Sequence, residues 1–85
     1  MKFKVKYDMT LDAVIVKSIE EFMAEQHNDS FTTTFLSVVG GEEIEFMVNG
    51  IGNDGLTFNA FYKQSDGQVL YLPNLGVSEF EKIEE

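Results

Sequence analysis

From Phe31 to Leu72 the chain passes through four runs of alternating apolar and polar residues, 31–39, 42–50, 56–64 and 68–72, separated by Gly40-Gly41, Asn53-Asp54-Gly55 and Ser65-Asp66-Gly67. Alternation at a period of two gives each strand one apolar face, and the separating residues tolerate the positive φ of tight turns. The spacing therefore predicts a four-stranded antiparallel meander. Pro73 has no ladder donor and is expected to close the last strand.

Residues 2–7, Lys-Phe-Lys-Val-Lys-Tyr, alternate in the same way, sending Phe3, Val5 and Tyr7 to one face and three lysines to the other. The next stretch fits two periods. Leu11, Val14, Ile15, Ile19, Phe22 and Met23 suit a helix, while the β-branched run Val14-Ile15-Val16 suits a strand. Ser18-Ile19-Glu20-Glu21 has the form of a capping box and marks a helix start. This reading gives a strand at 12–17, paired with 2–7 as an N-terminal hairpin, and a short helix at 19–27 packed on the core face. Ser78-Glu79-Phe80-Glu81 repeats the capping pattern and predicts a short C-terminal helix. The expected fold is a single acidic α+β domain over residues 1–85: an antiparallel meander with an N-terminal hairpin and two short helices.

Turn length sets register. A two-residue loop at Gly40-Gly41 would oppose Phe35 to Phe46, Ser37 to Ile44 and Thr33 to Val48. Three-residue loops at the next two turns oppose Val48 to Ala60, Tyr62 to Leu70 and Ala60 to Leu72, with Glu45 beside Lys63. The outward face then carries the row Thr34, Met47, Phe61 and Tyr71. Exposed methionine and aromatic side chains of this kind are enriched at protein contacts.

Fifteen acidic residues against six lysines and no arginine give a net charge of −9. Lys2, Lys4 and Lys6 are half of the cations, so residues 7–85 hold all fifteen acids and only three lysines. Such a surface is repelled by phosphate and by anionic lipid, and it lacks the side chain that grips phosphate bidentately. Direct nucleic-acid and membrane partners are disfavoured, and basic proteins are favoured. No cysteine is present, and no apolar run is longer than the four residues of Ala13–Val16, which reads as a cytoplasmic chain with neither disulfides nor a spanning helix.

Constellations for chemistry are missing. His27 is the only histidine, Ser37 has no base within its motif, and Asn53-Asp54-Gly55 lacks the spacing of a calcium loop. The glycines at 50, 52 and 55 precede a strand where a phosphate loop would need a helix. No catalytic, cofactor or metal residue is implied, and the chain reads as no enzyme.

The candidate partner-binding residues are Glu42, Glu43 and Glu45 beside the apolar Met47, Phe61 and Tyr71, with Glu20, Glu21 and Glu25 on the helix. Carboxylates around an apolar centre could fill a groove that normally holds nucleic acid. The expected function is non-enzymatic: an acidic protein-binding domain, of the phage-borne or immunity type, that inhibits a nucleic-acid-processing enzyme or toxin by occupying its basic site. The alternative from another class is an assembly subunit forming a homodimer or larger homo-oligomer through the Met-aromatic face.

With 11–27 as one long helix, the order strand, helix and four strands resembles the cystatin family of cysteine-protease inhibitors. Val38-Val39-Gly40-Gly41 then stands where that family has a Val-Val-Ala-Gly hairpin tip, with Ser37 in place of the preceding glutamine and no glycine-bearing arm before the helix. The resemblance implies a protease inhibitor and rests on those four residues.

Overall fold

The structure is a computed structural model, and it describes residues 1–17, 19–24 and 32–83. The elements are β1 (Lys2–Val5), β2 (Met9–Val16), α1 (Ile19–Ala24), β3 (Thr32–Val38), β4 (Glu43–Glu45), β5 (Met47–Ile51), β6 (Thr57–Lys63), β7 (Val69–Gly76), a 3-10 turn (Val77–Glu79) and β8 (Phe80–Lys82). Two antiparallel sheets result, with strand orders β4-β1-β8 and β3-β2-β7-β6-β5.

The strands of the two sheets are continuous through three bends. The register that pairs Met9 with Val38 is also the one that pairs Lys4 with Glu43. On the other side, the register of Val14 with Tyr71 is that of Val5 with Phe80. β1 and β2 are therefore one bent strand, flanked by β3/β4 on one side and by β7/β8 on the other. β5 continues β4 beyond Phe46 and pairs with β6, and β6 pairs with β7, so the ring of pairing closes.

This arrangement corrects several expectations. Residues 2–7 and 12–17 form no hairpin with each other, because the chain rounds a corner at 6–8 and continues forward as β2. β3 and β4 form no hairpin either. Gly41 at φ 90° and the bond from the Glu42 amide to the Val39 carbonyl (3.0 Å) make a turn that bends the chain instead of reversing it. Phe35 consequently lies opposite Asp12 rather than Phe46, and Thr33 opposite Val14 rather than Val48. The expected meander survives as β5-β6-β7, where Tyr62–Leu70 and Ala60–Leu72 pair as the Ser65-Asp66-Gly67 turn dictates. Val48 also pairs with Ala60, but the Gly52 amide bonds the Thr57 carbonyl across a longer loop than expected, and the register shift between Val48 and Gly50 restores the pairing.

Pro73 lies within β7, which runs on to Gly76. A register shift beside it, with Asn74 at φ 58° and its amide bonded to Asn59 Oδ1 (2.9 Å), absorbs the missing donor as a bulge. The expected C-terminal helix is a single 3-10 turn followed by β8, since pairing with β1 buries Phe80. The expected helix over 19–27 on the core face is also not found. α1 has six residues, Phe22 lies on the opposite, outer side of the five-stranded sheet, and 25–27 fall outside the described residues. The strand over 9–16 removes the long helix on which the cystatin resemblance depended, and Val38–Gly41 is a bend rather than a hairpin tip.

The core lies between the sheets. Phe3, Phe46, Phe58 and Phe80 come from β1, the β4–β5 junction, β6 and β8, and every pair of these rings has centroids 5.4–6.3 Å apart. Leu11, Ala13, Val38, Leu70, Leu72 and Leu75 complete it. Among the described residues, no polar or charged residue is buried.

Candidate protein-binding site

The expected apolar row forms in part. Reading across the five-stranded sheet, Met47 pairs with Phe61, Phe61 with Tyr71, Tyr71 with Val14 and Val14 with Thr33. Thr34 is not in it, because β2 and β7 separate β3 from β6. The middle of the row is covered: the Phe22 ring lies 5.6 Å from Phe61 and 4.6 Å from Tyr71, leaving Phe61 3% exposed. Met47 remains 58% exposed at one margin, and Phe35 is 69% exposed beside the other.

The expected acidic residues lie apart from that row. Glu43 and Glu45 alternate outward on β4, where Glu43 opposes Lys4 and Glu45 opposes Lys2, while Glu81 of β8 opposes Lys4 from the other side. The ammonium of Met1 donates to Glu45 Oε2 at 2.7 Å and to the Phe46 carbonyl at 2.8 Å. That bond, reinforced by the charges of the ammonium and of Lys2, holds the Glu45 carboxyl below its ordinary value of 4.5. The lysine stripe thus meets two glutamate stripes within one sheet, a local arrangement worth about 0.2–1 kcal/mol per cross-strand pair. Glu20 is exposed on α1, Glu21 belongs to the same helix, and Glu25 falls outside the described residues.

Glu42 has a different setting, at the bend where 6–8, 39–42 and 76–79 meet. Its Oε1 accepts the Val39 amide at 3.1 Å, and Asp8 Oδ1 accepts the Gly40 amide at 2.7 Å. Glu79 Oε2 accepts the Tyr7 phenol at 3.0 Å, and its carboxylate folds over Gly76, where a Cβ would come within 2.9 Å of Oε1. Backbone bonds tie the segments together: Lys6 amide to Glu79 carbonyl (3.2 Å), Gly41 amide to Val5 carbonyl (2.7 Å) and Val77 amide to Leu56 carbonyl (2.9 Å). Leu56 in turn donates its amide to Asp54 Oδ1 at 2.9 Å.

The bend and the adjoining hairpin tip therefore hold four exposed apolar side chains, Tyr7, Val39, Leu56 and Val77, among four carboxylates, each carboxylate fixed by a hydrogen bond. Charges already held by hydrogen bonds lose little freedom on binding. Of these eight residues the sequence reading singled out only Glu42 as a binding residue. Alternation over 2–7 places Tyr7 on the face of Phe3 and Val5, but β1 ends at Val5 and Tyr7 is exposed.

Glu79 raises the Tyr7 pKa above its ordinary 10.0, chiefly by accepting the phenol's hydrogen bond, with desolvation and the carboxylate charge acting in the same direction. A folded-state pKa above the unfolded one means that the pair's contribution to stability is complete below pH 10 and is lost as pH rises through the shifted value. Glu79→Gln should move the Tyr7 step of an ultraviolet titration back towards 10, with Tyr7→Phe identifying that step. An unmoved step would remove Glu79 as the cause.

No helix among the described residues is long and apolar enough to cross a membrane. Comparison with protein-family models, curated proteins and solved structures finds no match for this chain.

Proposed function

We propose that this chain is a non-enzymatic acidic protein-binding domain that uses its three-segment bend to occupy a basic site on a protein partner. Tyr7, Val39, Leu56 and Val77 supply the dry contact, and Asp8, Glu42, Asp54 and Glu79 supply the flanking charge. The observation that carries the reading is the hydrogen bonding that holds these carboxylates beside exposed apolar side chains on a chain of net charge −9. A stoichiometric inhibitor of a nucleic-acid-processing enzyme or toxin, of the immunity or phage-borne type, fits that chemistry, because such an enzyme carries the required cationic groove. Glu43 and Glu45 support the reading less, since the lysines of β1 stand opposite them.

The test is affinity capture from the native host at low and high salt, followed by titration of the recovered partner. Asp8→Asn, Glu42→Gln and Glu79→Gln combined keep every acceptor oxygen that the bend uses while removing three charges. The triple variant should bind about a hundredfold more weakly at low salt and differ little at high salt. Recovery of no basic protein, or equal affinity for the triple variant, would overturn the proposal.

A further inference from the structure

We infer that β3 is a self-pairing edge through which two copies of this chain join into one continuous sheet. Among the described residues, four strand edges are open in the two sheets, those of β3, β4, β5 and β8. Soluble proteins protect such edges with charge, short length or bulges, since an unprotected edge templates pairing with another chain. β4 and β8 are three residues each and carry Glu43 and Glu45, or Glu81 and Lys82. β5 carries Gly50 and a register shift between Val48 and Gly50.

β3 has none of these protections. Its seven residues, Thr-Thr-Thr-Phe-Leu-Ser-Val, pair with β2 in unbroken register, so the strand is regular. The whole stretch 30–41 lacks a charged residue, a composition matched only by 67–78 around β7, which is flanked on both sides by other strands. β3 therefore has the sequence of an interior strand and the position of an outer one. Among the described residues nothing pairs with its far side, where half of its backbone donors and acceptors point away from β2.

A second copy is the occupant that the charge selects. At −9 per chain, copies repel one another over most of their surface, and β3 is an open edge without charge. Antiparallel pairing about a two-fold axis at the midpoint of the strand sets Phe35 against Phe35 of the second copy, with Thr33 against Ser37 on the same face. Phe35 is 69% exposed before such contact, and the cross-strand aromatic pair would cover it. Asp12, opposite Phe35 on β2, would lie three strand spacings from its equivalent, about 14 Å. That exceeds the screening length of about 8 Å at physiological salt. The Met-aromatic face is a poorer route to self-association, because Phe22 covers its centre.

The experiment is sedimentation velocity on the full chain over a range of concentrations and salt, with hydrogen exchange of the β3 amides alongside. The chain should dimerise, the dimer should tighten as salt rises, and the outward amides of β3 should exchange more slowly as concentration increases. Phe35→Lys opposes two cations at the axis and should raise the dissociation constant about tenfold or more. Phe35 is exposed, so circular dichroism of that variant should be unchanged. Ile51→Lys, on β5, should leave the dissociation constant as it was. A monomer at every concentration, including one in which β3 pairs only with a foreign strand, would overturn the inference, as would a dimer indifferent to Phe35→Lys. The salt dependence is opposite in sign to that expected for a basic partner at the bend, so the two proposals fail separately.

Discussion

Phe46→Ala should destabilise the fold by about 3–5 kcal/mol, the usual range for deleting a buried phenylalanine. Phe46 is fully buried at the junction of β4 and β5, with ring centroids 5.7 Å from Phe3, 6.3 Å from Phe58, 6.1 Å from Tyr62 and 5.5 Å from Phe80. Those partners come from both sheets, so no single strand can shift to fill the void without losing contacts on its other side. Domains of this size have about 5–15 kcal/mol of total stability, with small ones at the low end. A large part of the population should therefore be unfolded in mild denaturant. Phe35→Ala, which removes an exposed ring of the same size, should stay within about 0.5 kcal/mol for the monomer. A denaturant midpoint for Phe46→Ala close to that of Phe35→Ala would show that the four-ring cluster does not hold the sheets together.

Gly40→Ala should cost about 1–3 kcal/mol by overpacking. A Cβ at Gly40 would lie 2.9 Å from Tyr7 Cα and 3.3 Å from both the Lys6 carbonyl oxygen and the Tyr7 carbonyl carbon. All three are backbone atoms, so no side-chain rotation relieves the clash. Only a separation of the two bent chains can, and that would displace Tyr7 and Val39 from the proposed binding patch. Gly41 makes an informative comparison, since a Cβ there meets nothing within 4 Å and the cost of Gly41→Ala comes from φ 90° alone, about 1–2 kcal/mol. Asparagine, which tolerates positive φ, should recover part of the loss at position 41 and make matters worse at position 40. Thermal midpoints for the four variants test this, and equal behaviour at the two positions would refute the close approach of Tyr7.

The sheet class and the β6-β7 register were legible because they depend on local features, alternation and a loop whose length sets the pairing; the bulge between Val48 and Gly50 that sets β5 against β6 was not. Connectivity between distant segments was not legible from turn residues. Gly40-Gly41 has the composition of a hairpin loop, yet a turn at those residues only bends the strand, because β3 pairs with β2 and β4 with β1 along the same bent partner strand. The competing signal was charge periodicity. Lys2, Lys4 and Lys6 repeat every second residue, as do Glu43 with Glu45 and Glu79 with Glu81. Opposite charges at matching periods foretell the order β4-β1-β8, but Ser78–Glu81 also satisfies the helix-start pattern, which drew the reading towards a helix. The bend could not be read at all, since Asp8, Glu42 and Glu79 are far apart in the chain and meet only when three strands turn together.

The closed ring of pairing also governs how the chain can reach its native state. β1 obtains its second neighbour only from residues 80–82, so this strand waits for a partner far along the chain. Entropy must be spent on that long closure before Phe80 can enter the ring cluster, and topologies of this kind fold in milliseconds to seconds rather than microseconds. Until then the uncharged β3 has no completed sheet behind it, so the interval before closure is when a nascent chain is most open to sticking to its neighbours.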